Sequence, residues 1–319
     1  MREEQMLAER WSLQLRRALR LGRAAVRGGD ASRRALREVQ FEVLRRMTPI
    51  VAVDNDGIRY FVSTHDQGVG LPVFVDGAFD AADMRAAMAI LQRSGLQPFR
   101  NEKQLFVDIG ANIGTATIQA IVHHGAGGAV AFEPDEGNVV MLHHNLLANA
   151  LTDRVVVVQA AVTDAPGPVV LERATNNSGD HRVRVGGPAG DDAFAESSRT
   201  IATVPGLTLD SQVETGVLQL DRVGLVSIDT QGHEAQVLAG AQRLCSSDIP
   251  VMLEFWPYGL RAAGGSKRLR EILARSYDRY VDLSTPFDTR GVAYRPIDEL
   301  QALETALPYY AWANLLLCG

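Results

Sequence analysis

Asp108 and Glu133 bracket a glycine turn, Gly110-Ala-Asn-Ile-Gly114, and each lies at or near the end of a short apolar run, 105–109 and 129–133. A glycine turn at a strand's carboxyl end lets a ligand come close to the backbone. An acidic residue at the end of the next strand can accept both hydroxyls of a ribose. The pattern therefore predicts a pocket for a nucleoside-bearing cofactor, built from Asp108, Gly110, Ala111, Asn112, Gly114, Glu133 and Pro134. The Gln159-Ala-Ala161 turn after a further strand adds Ala160 and Ala161.

A dinucleotide site wants G-x-G-x-x-G, whose middle glycine gives a pyrophosphate room against the helix N-terminus. Here that position is Asn112, whose side chain would crowd a phosphate, and Asp108 would repel one. S-adenosylmethionine carries a ribose and an adenine with no phosphate, and its sulfonium end suits an acidic neighbour. The residues favour it over NAD.

Farther along, Asp229-Thr-Gln-Gly-His-Glu234 ends another apolar run, and Glu254 sits near the end of the next. Asp229 would reach the same rim as the cofactor, and it and Glu254 are candidates, with His233, for the chemistry. His233, opening the following helix, is a candidate general base for a hydroxyl nucleophile; capping the helix is the competing reading. Glu234 fits a first-turn acid that complements the helix dipole. Asp229 and Glu254 form an oxygen-rich pair that could hold Mg²⁺. The polar loop Asn176-Asn-Ser-Gly-Asp-His-Arg182 offers His181 for proton transfer and Arg182 to clamp a phosphate or carboxylate on the acceptor. Trp256, with Pro257 and Tyr258, could wall an acceptor pocket.

Strands and helices must alternate to bring these groups to one edge. Strands are expected at 105–109, 129–133, 155–159, 225–229 and 251–255, with helices at 115–123, 136–149, 233–244 and 266–275. Such alternation implies parallel strands joined by right-handed crossovers. Late strands at 280–284 and 312–318 would close the sheet as an antiparallel pair, making an α/β, Rossmann-like, seven-stranded sheet with helices on both faces. Residues 175–200 lack apolar periodicity and read as a loop or flap. Upstream, residues 5–47 read as two helices broken at Gly28-Gly29, 50–62 as a hairpin across Asn55-Asp-Gly57, 73–75 as a short strand, and a helix runs on to Gly95. The boundary between an N-terminal helical and β-hairpin extension (1–98) and the cofactor-binding domain (99–319) follows.

Asp108-Ile-Gly-Ala-Asn-Ile-Gly114, Phe132-Glu-Pro134, the spacing of Asn138, Leu142, Asn145 and Asn149, and Ser227-Ile-Asp-Thr-Gln-Gly-His-Glu234 followed by Val237-Leu-Ala-Gly-Ala241 resemble the FkbM-type methyltransferases. The resemblance covers roughly residues 100–260. It implies a class I S-adenosylmethionine-dependent fold and methylation of a hydroxyl on a small molecule, often a sugar or secondary metabolite. Gln231 departs from the family, which more often has Glu there. A catalytically inactive scaffold in a biosynthetic complex would be expected to lose Asp108 or Glu133, and both are present.

The 319 residues are 46% hydrophobic and 22% charged, an ordinary globular composition with no membrane-length apolar run. Residues 1–47 hold twelve arginines against six acids, although the whole chain carries a net charge of −6. Leucines and valines interleave with those arginines, which favours packing or a homodimer through amphipathic helices over a nucleic-acid or membrane surface. Cys245 and Cys318 make neither a metal pattern nor a disulfide framework, so a reducing, cytoplasmic setting is expected.

Overall fold

The computed structural model describes residues 30–79, 81–185, 192–284 and 292–318. They fall into two compact units that divide after Phe79. The first of the two expected N-terminal helices, with the arginines up to position 27, lies outside the described residues, as do the Gly28-Gly29 break and Asp80, which with Asp83 is a candidate cap of the helix that runs to Gly95.

In the first unit, a helix (Asp30–Leu44) buries Phe41 against Phe74, ring centroids 5.3 Å apart, and Arg37 Nε donates to the Phe74 carbonyl at 2.7 Å. Strands β1 (Ile50–Asn55) and β2 (Ile58–Ser63) form the expected hairpin. Asp56 and Gly57 both have positive φ, 49° and 78°, as a two-residue turn matching the strand twist requires. The expected strand at 73–75 is instead part of a helix, Gly70–Asp76. Pro72 lies in its first turn, where its missing N–H is harmless, and Val73, Phe74 and Val75 are buried.

The second unit contains the helix Ala81–Arg93, stopped as expected by Gly95 in the left-handed region (φ 78°). Grouped by sequence with the extension, this helix belongs to the second unit: Asp83 accepts a hydrogen bond from Asn314. The strands that follow are β3 (Leu105–Ile109), β4 (Gly128–Phe132), β5 (Val155–Val158), β6 (Ala161–Val162), β7 (Gly167–Arg173), β8 (Arg182–Val183), β9 (Thr200–Leu207), β10 (Val223–Ile228), β11 (Val251–Phe255), β12 (Arg279–Asp282), β13 (Arg295–Pro296) and β14 (Ala313–Cys318).

The main sheet has the order β13-β12-β14-β11-β10-β3-β4-β5. All seven expected strands are in it, together with the two-residue edge strand β13. Strands β5, β4, β3, β10 and β11 run parallel, and β14 is antiparallel to both β11 and β12. Every residue of β4 and β11 is buried, the pattern of strands covered on both faces. Val107, Ile109, Val130 and Phe132 share one core with the helices Glu234–Ala239, Ser266–Ser276 and Leu300–Ala306. The opposite face of β3 and β4 meets the helix Thr115–Val122. Removing a buried ring such as Phe132 (1% exposed) from this core would cost about 3–5 kcal/mol.

A second sheet, β6-β9-β7-β8, flanks the region 175–200 read as irregular and enters it with β8 and the first residue of β9. Its own core is small: Ala161, Leu171 and Val204. Among the described residues no helix is long and apolar enough to cross a membrane.

Candidate functional site

The chain enters the main sheet at β3, moves outward through β4 and β5, then returns to place β10 on the other flank of β3. Strand order therefore reverses between β3 and β10, the place where open α/β sheets bind ligands beyond their strands' carboxyl ends. Residues from both strand ends meet there.

Asp108 is 3% exposed and faces the helix Thr115–Val122, whose Thr117 hydroxyl donates to its Oδ2 at 2.5 Å. Loss of water pushes its pKa up to about 6; the Thr117 hydrogen bond opposes this and the charge of Asp229 adds to it. The turn that follows is pinned to β4, because Gly110 N and Ala111 N both donate to the Phe132 carbonyl at 3.0 Å. Gly110, Asn112 and Gly114 have φ of 93°, 51° and 88°, so the turn uses the left-handed region three times. A Cβ on Gly114 would lie 2.3 Å from a Leu142 methyl carbon.

Glu133 is 4% exposed and accepts from Asn112 N at 2.8 Å, Asp135 N at 2.9 Å and Asn138 Nδ2 at 3.3 Å. Burial nonetheless raises its pKa to about 7. Asp135 caps the helix Glu136–Ala148 by accepting from Asn138 N. Pro134 is half-buried, while Ala160 and Ala161 are buried at the neighbouring strand end. Over this corner lies Ser178, whose carbonyl accepts from Asn112 Nδ2 at 2.8 Å and Asn138 Nδ2 at 3.2 Å. The side chain of Asn112 is thus held toward the flap.

Asp229 and Glu254 stand side by side at the ends of adjacent parallel strands, as Ile228 opposite Leu253 requires. Gln231 spans them: its Nε2 donates to Asp229 Oδ1 at 2.7 Å and to Glu254 Oε2 at 2.9 Å. Loss of water holds the Asp229 carboxyl above the usual range; hydrogen bonds from Gln231 and Glu254 pull it down, and the charge of Asp180 raises it further. Among the described residues no group of three or more His, Cys, Asp or Glu side chains could hold a metal ion. The pair read from sequence as a Mg²⁺ site is bridged by an amide nitrogen, which has no lone pair to give a cation.

His233 is 3% exposed, and its Nε2 meets the Thr163 hydroxyl at 3.0 Å. Burial lowers its pKa to about 4; Asp164 opposes and Arg268 reinforces that shift. At neutral pH it is an uncharged imidazole bonded away from the carboxylate pair. Glu234 folds back on its own turn, accepting from Thr230 N and Oγ1 at 3.0 Å and Gly232 N at 3.1 Å.

The flap separates His181 from Arg182. Arg182 Nε donates to Asp180 at 2.6 Å and Nη1 to Glu196 at 2.9 Å, and its guanidinium carbon lies 4.5 Å from the Trp256 ring centroid. Tyr258 OH also donates to Glu196, at 2.8 Å. Arg182 Nη2 and Trp256 Nε1 are buried donors with no partner among the described residues. His181 points instead into an open groove of about 640 Å³ lined by Asp135, Arg173 and Thr200. There its Nδ1 accepts from Ala174 N at 3.2 Å, and burial lowers its pKa.

Sequence reasoning missed Thr117, Asp180 and Glu196. Thr117 stands nine residues after Asp108 on the first turns of the helix and had a helix-turn signal to find it by. Asp180 and Glu196 had none beyond polarity.

The family described as "Methyltransferase FkbM domain" matches residues 108–277. Among curated proteins no match is found. One similar solved structure is the methyltransferase FkbM from Methylobacillus flagellatus, 13% identical, covering 90% of this chain and 62% of that one at a TM-score of 0.40. Another is the Pyrococcus horikoshii TYW2 in complex with MeSAdo, 12% identical, covering 89% and 81% at a TM-score of 0.40. Overlaps this loose say nothing of substrate.

Proposed function

The chain belongs to the FkbM methyltransferase family, and from that premise we propose that it methylates a hydroxyl oxygen of a small molecule, a sugar or secondary metabolite, with S-adenosylmethionine as donor. The observation that carries the reading is the convergence of Asp108, the Gly110–Gly114 turn and Glu133 at the switch point between β3 and β10. These residues fit the cofactor: Glu133 for the ribose hydroxyls, the turn for close backbone approach, Asp108 for the cationic methionine end. Pro134, Ala160 and Ala161 supply an apolar edge for the adenine.

When bound, S-adenosylmethionine supplies a methyl group on a sulfonium. The protein's part is to hold the acceptor oxygen about 3 Å from that carbon and to take the hydroxyl proton. Asp229 and Glu254 suit the second task. A carboxyl held above its usual range is a stronger base than an exposed one, whereas an imidazole with a pKa of about 4 is a weaker base than usual. The proton therefore goes to the carboxylate pair, and His233 supports the turn that presents it.

The acceptor wall is Trp256 with Arg182 above it and Phe194 edge-on at 5.1 Å. Arg182 is already paired with Asp180 and Glu196, so a phosphate or carboxylate would meet those acids as well. Its free Nη2 and Trp256 Nε1 suit neutral oxygens. Calorimetry with S-adenosylmethionine, S-adenosylhomocysteine and NAD in parallel tests the reading. Micromolar binding of the first two and none of NAD is expected; NAD binding alone, or no binding at all, would overturn it.

A further inference from the structure

Gln231 sits in an unusual backbone state for its type, φ 54°, and is followed by Gly232 at φ 103°. That turn is not free to relax, because a Cβ on Gly232 would lie 2.5 Å from the Gly259 carbonyl carbon. Two consecutive left-handed residues fold the chain back so that the Gln231 side chain lies across the ends of β10 and β11. Both hydrogens of its amide nitrogen are used there, one on Asp229 Oδ1 and one on Glu254 Oε2.

Two carboxyl groups this close repel when both are ionised, and something must offset that. A divalent cation is one solution, taking oxygen lone pairs at about 2.0–2.6 Å. Here Asp229 Oδ1 and Glu254 Oε2 already accept the two amide hydrogens, Asp229 also takes a hydrogen bond from Glu254, and the bridging nitrogen cannot ligate a cation. A glutamate side chain has the same length and nearly the same shape. At position 231 it would place a third carboxylate at the same point, creating the oxygen-only cluster that divalent ions select.

We propose that Gln231 is a positioning residue that holds Asp229 and Glu254 together in place of a divalent cation, and that a carboxylate at 231 would convert the same three side chains into a cation site.

The test titrates the full chain with Mn²⁺ alone, followed by calorimetry and by the loss of the free-ion paramagnetic signal. Neither methyl donor nor acceptor is present, so the result stands apart from the proposed transfer reaction. The wild-type protein should show no site tighter than about 1 mM. Gln231→Glu should gain one Mn²⁺ site at least about tenfold tighter, and adding Asp229→Asn to that variant should remove it. Should Gln231→Glu fail to fold alone, recovery of its circular dichroism in Mn²⁺ supports the proposal, and failure to recover counts against it. A wild-type Mn²⁺ site that Asp229→Asn abolishes, or a folded Gln231→Glu that binds no better than wild type, overturns it.

Discussion

A Cβ on Gly110 would lie 1.8 Å from the carbonyl oxygen of Asp229, so the β3 turn and the β10 end touch backbone to backbone. No side chain separates the cofactor turn from the carboxylate pair. Asp229 N also donates to the Ile109 carbonyl at 2.9 Å, locking the two together.

Gly110→Ala should therefore damage both halves of the site at once. Left-handed backbone costs a non-glycine residue about 1–2 kcal/mol, and overpacking adds about 1–3 kcal/mol. Chemical denaturation should show a loss of about 2–5 kcal/mol from these two effects, with cofactor affinity lost in the surviving fold. A variant with unchanged midpoint and affinity would refute the contact.

Glu133 should make cofactor binding depend on pH. Its ordinary pKa of 4.5 rises to about 7 in the fold, so the folded protein takes up a proton there. Its contribution to stability is full below pH 4.5 and is lost as the pH rises through about 7. Ribose hydroxyls donate to the ionised form, so affinity should climb between pH 6 and 8 by at most about tenfold per unit. Glu133→Gln should flatten that climb, and Glu133→Ala should weaken binding about 10- to 100-fold. Calorimetry across the pH series reads both.

His233 has the opposite sign. Its pKa falls from 6.5 to about 4, so its stabilising contribution is present above pH 6.5 and lost as the pH falls through about 4. His233→Gln should blunt the loss of stability on that acid side while leaving cofactor affinity nearly unchanged. The pH profile of turnover should keep its shape in this variant. Disappearance of an ionisation near pH 6–7 from that profile would return the proton-acceptor role to the imidazole.

Arg182 joins Asp180 to Glu196 within the flap, all three buried or nearly so, and the rim is reached through Tyr258, which donates to Glu196, and Trp256 beneath the guanidinium. Arg182→Ala removes the cation that Asp180 and Glu196 share, leaving Asp180 to Arg199 alone and Glu196 to Tyr258. Amide hydrogen exchange at residues 178–183 should speed up at least about tenfold, with β3 and β4 unaffected. Equal protection in both proteins would show that the network does not hold the flap.

The sheet was legible because its inner strands are buried on both faces and read as apolar runs, as in Gly128–Phe132 and, with Glu254 as its one polar member, Val251–Phe255. The cofactor turn was legible because its three left-handed residues are two glycines and an asparagine. The second sheet was not. Its strands β7 and β9 carry Gly167-Pro168 and Pro205-Gly206, and most of their side chains are only partly covered. A run with Val73, Phe74 and Val75 looks like a strand until tertiary packing closes it as a helix behind Pro72. The direction of His233 was equally hidden: whether a residue at a helix start faces the rim or the interior depends on Thr163, seventy positions away.

Strand β14 has β11 on one side and β12 on the other. Residues 251–282 leave a ribosome well before residues 313–318, so half of this sheet is synthesised with a vacancy one strand wide. Until it is filled, Leu253 and Tyr280 face a gap whose backbone hydrogen bonds are open to any passing extended chain. The carboxyl end of β11, and with it Glu254, is held on one side by β10 and gains its second neighbour only when that gap closes. A growing chain of this protein thus carries its Gly110–Gly114 turn and Asp229 in place while β11 and β12 still present open strand edges to each other.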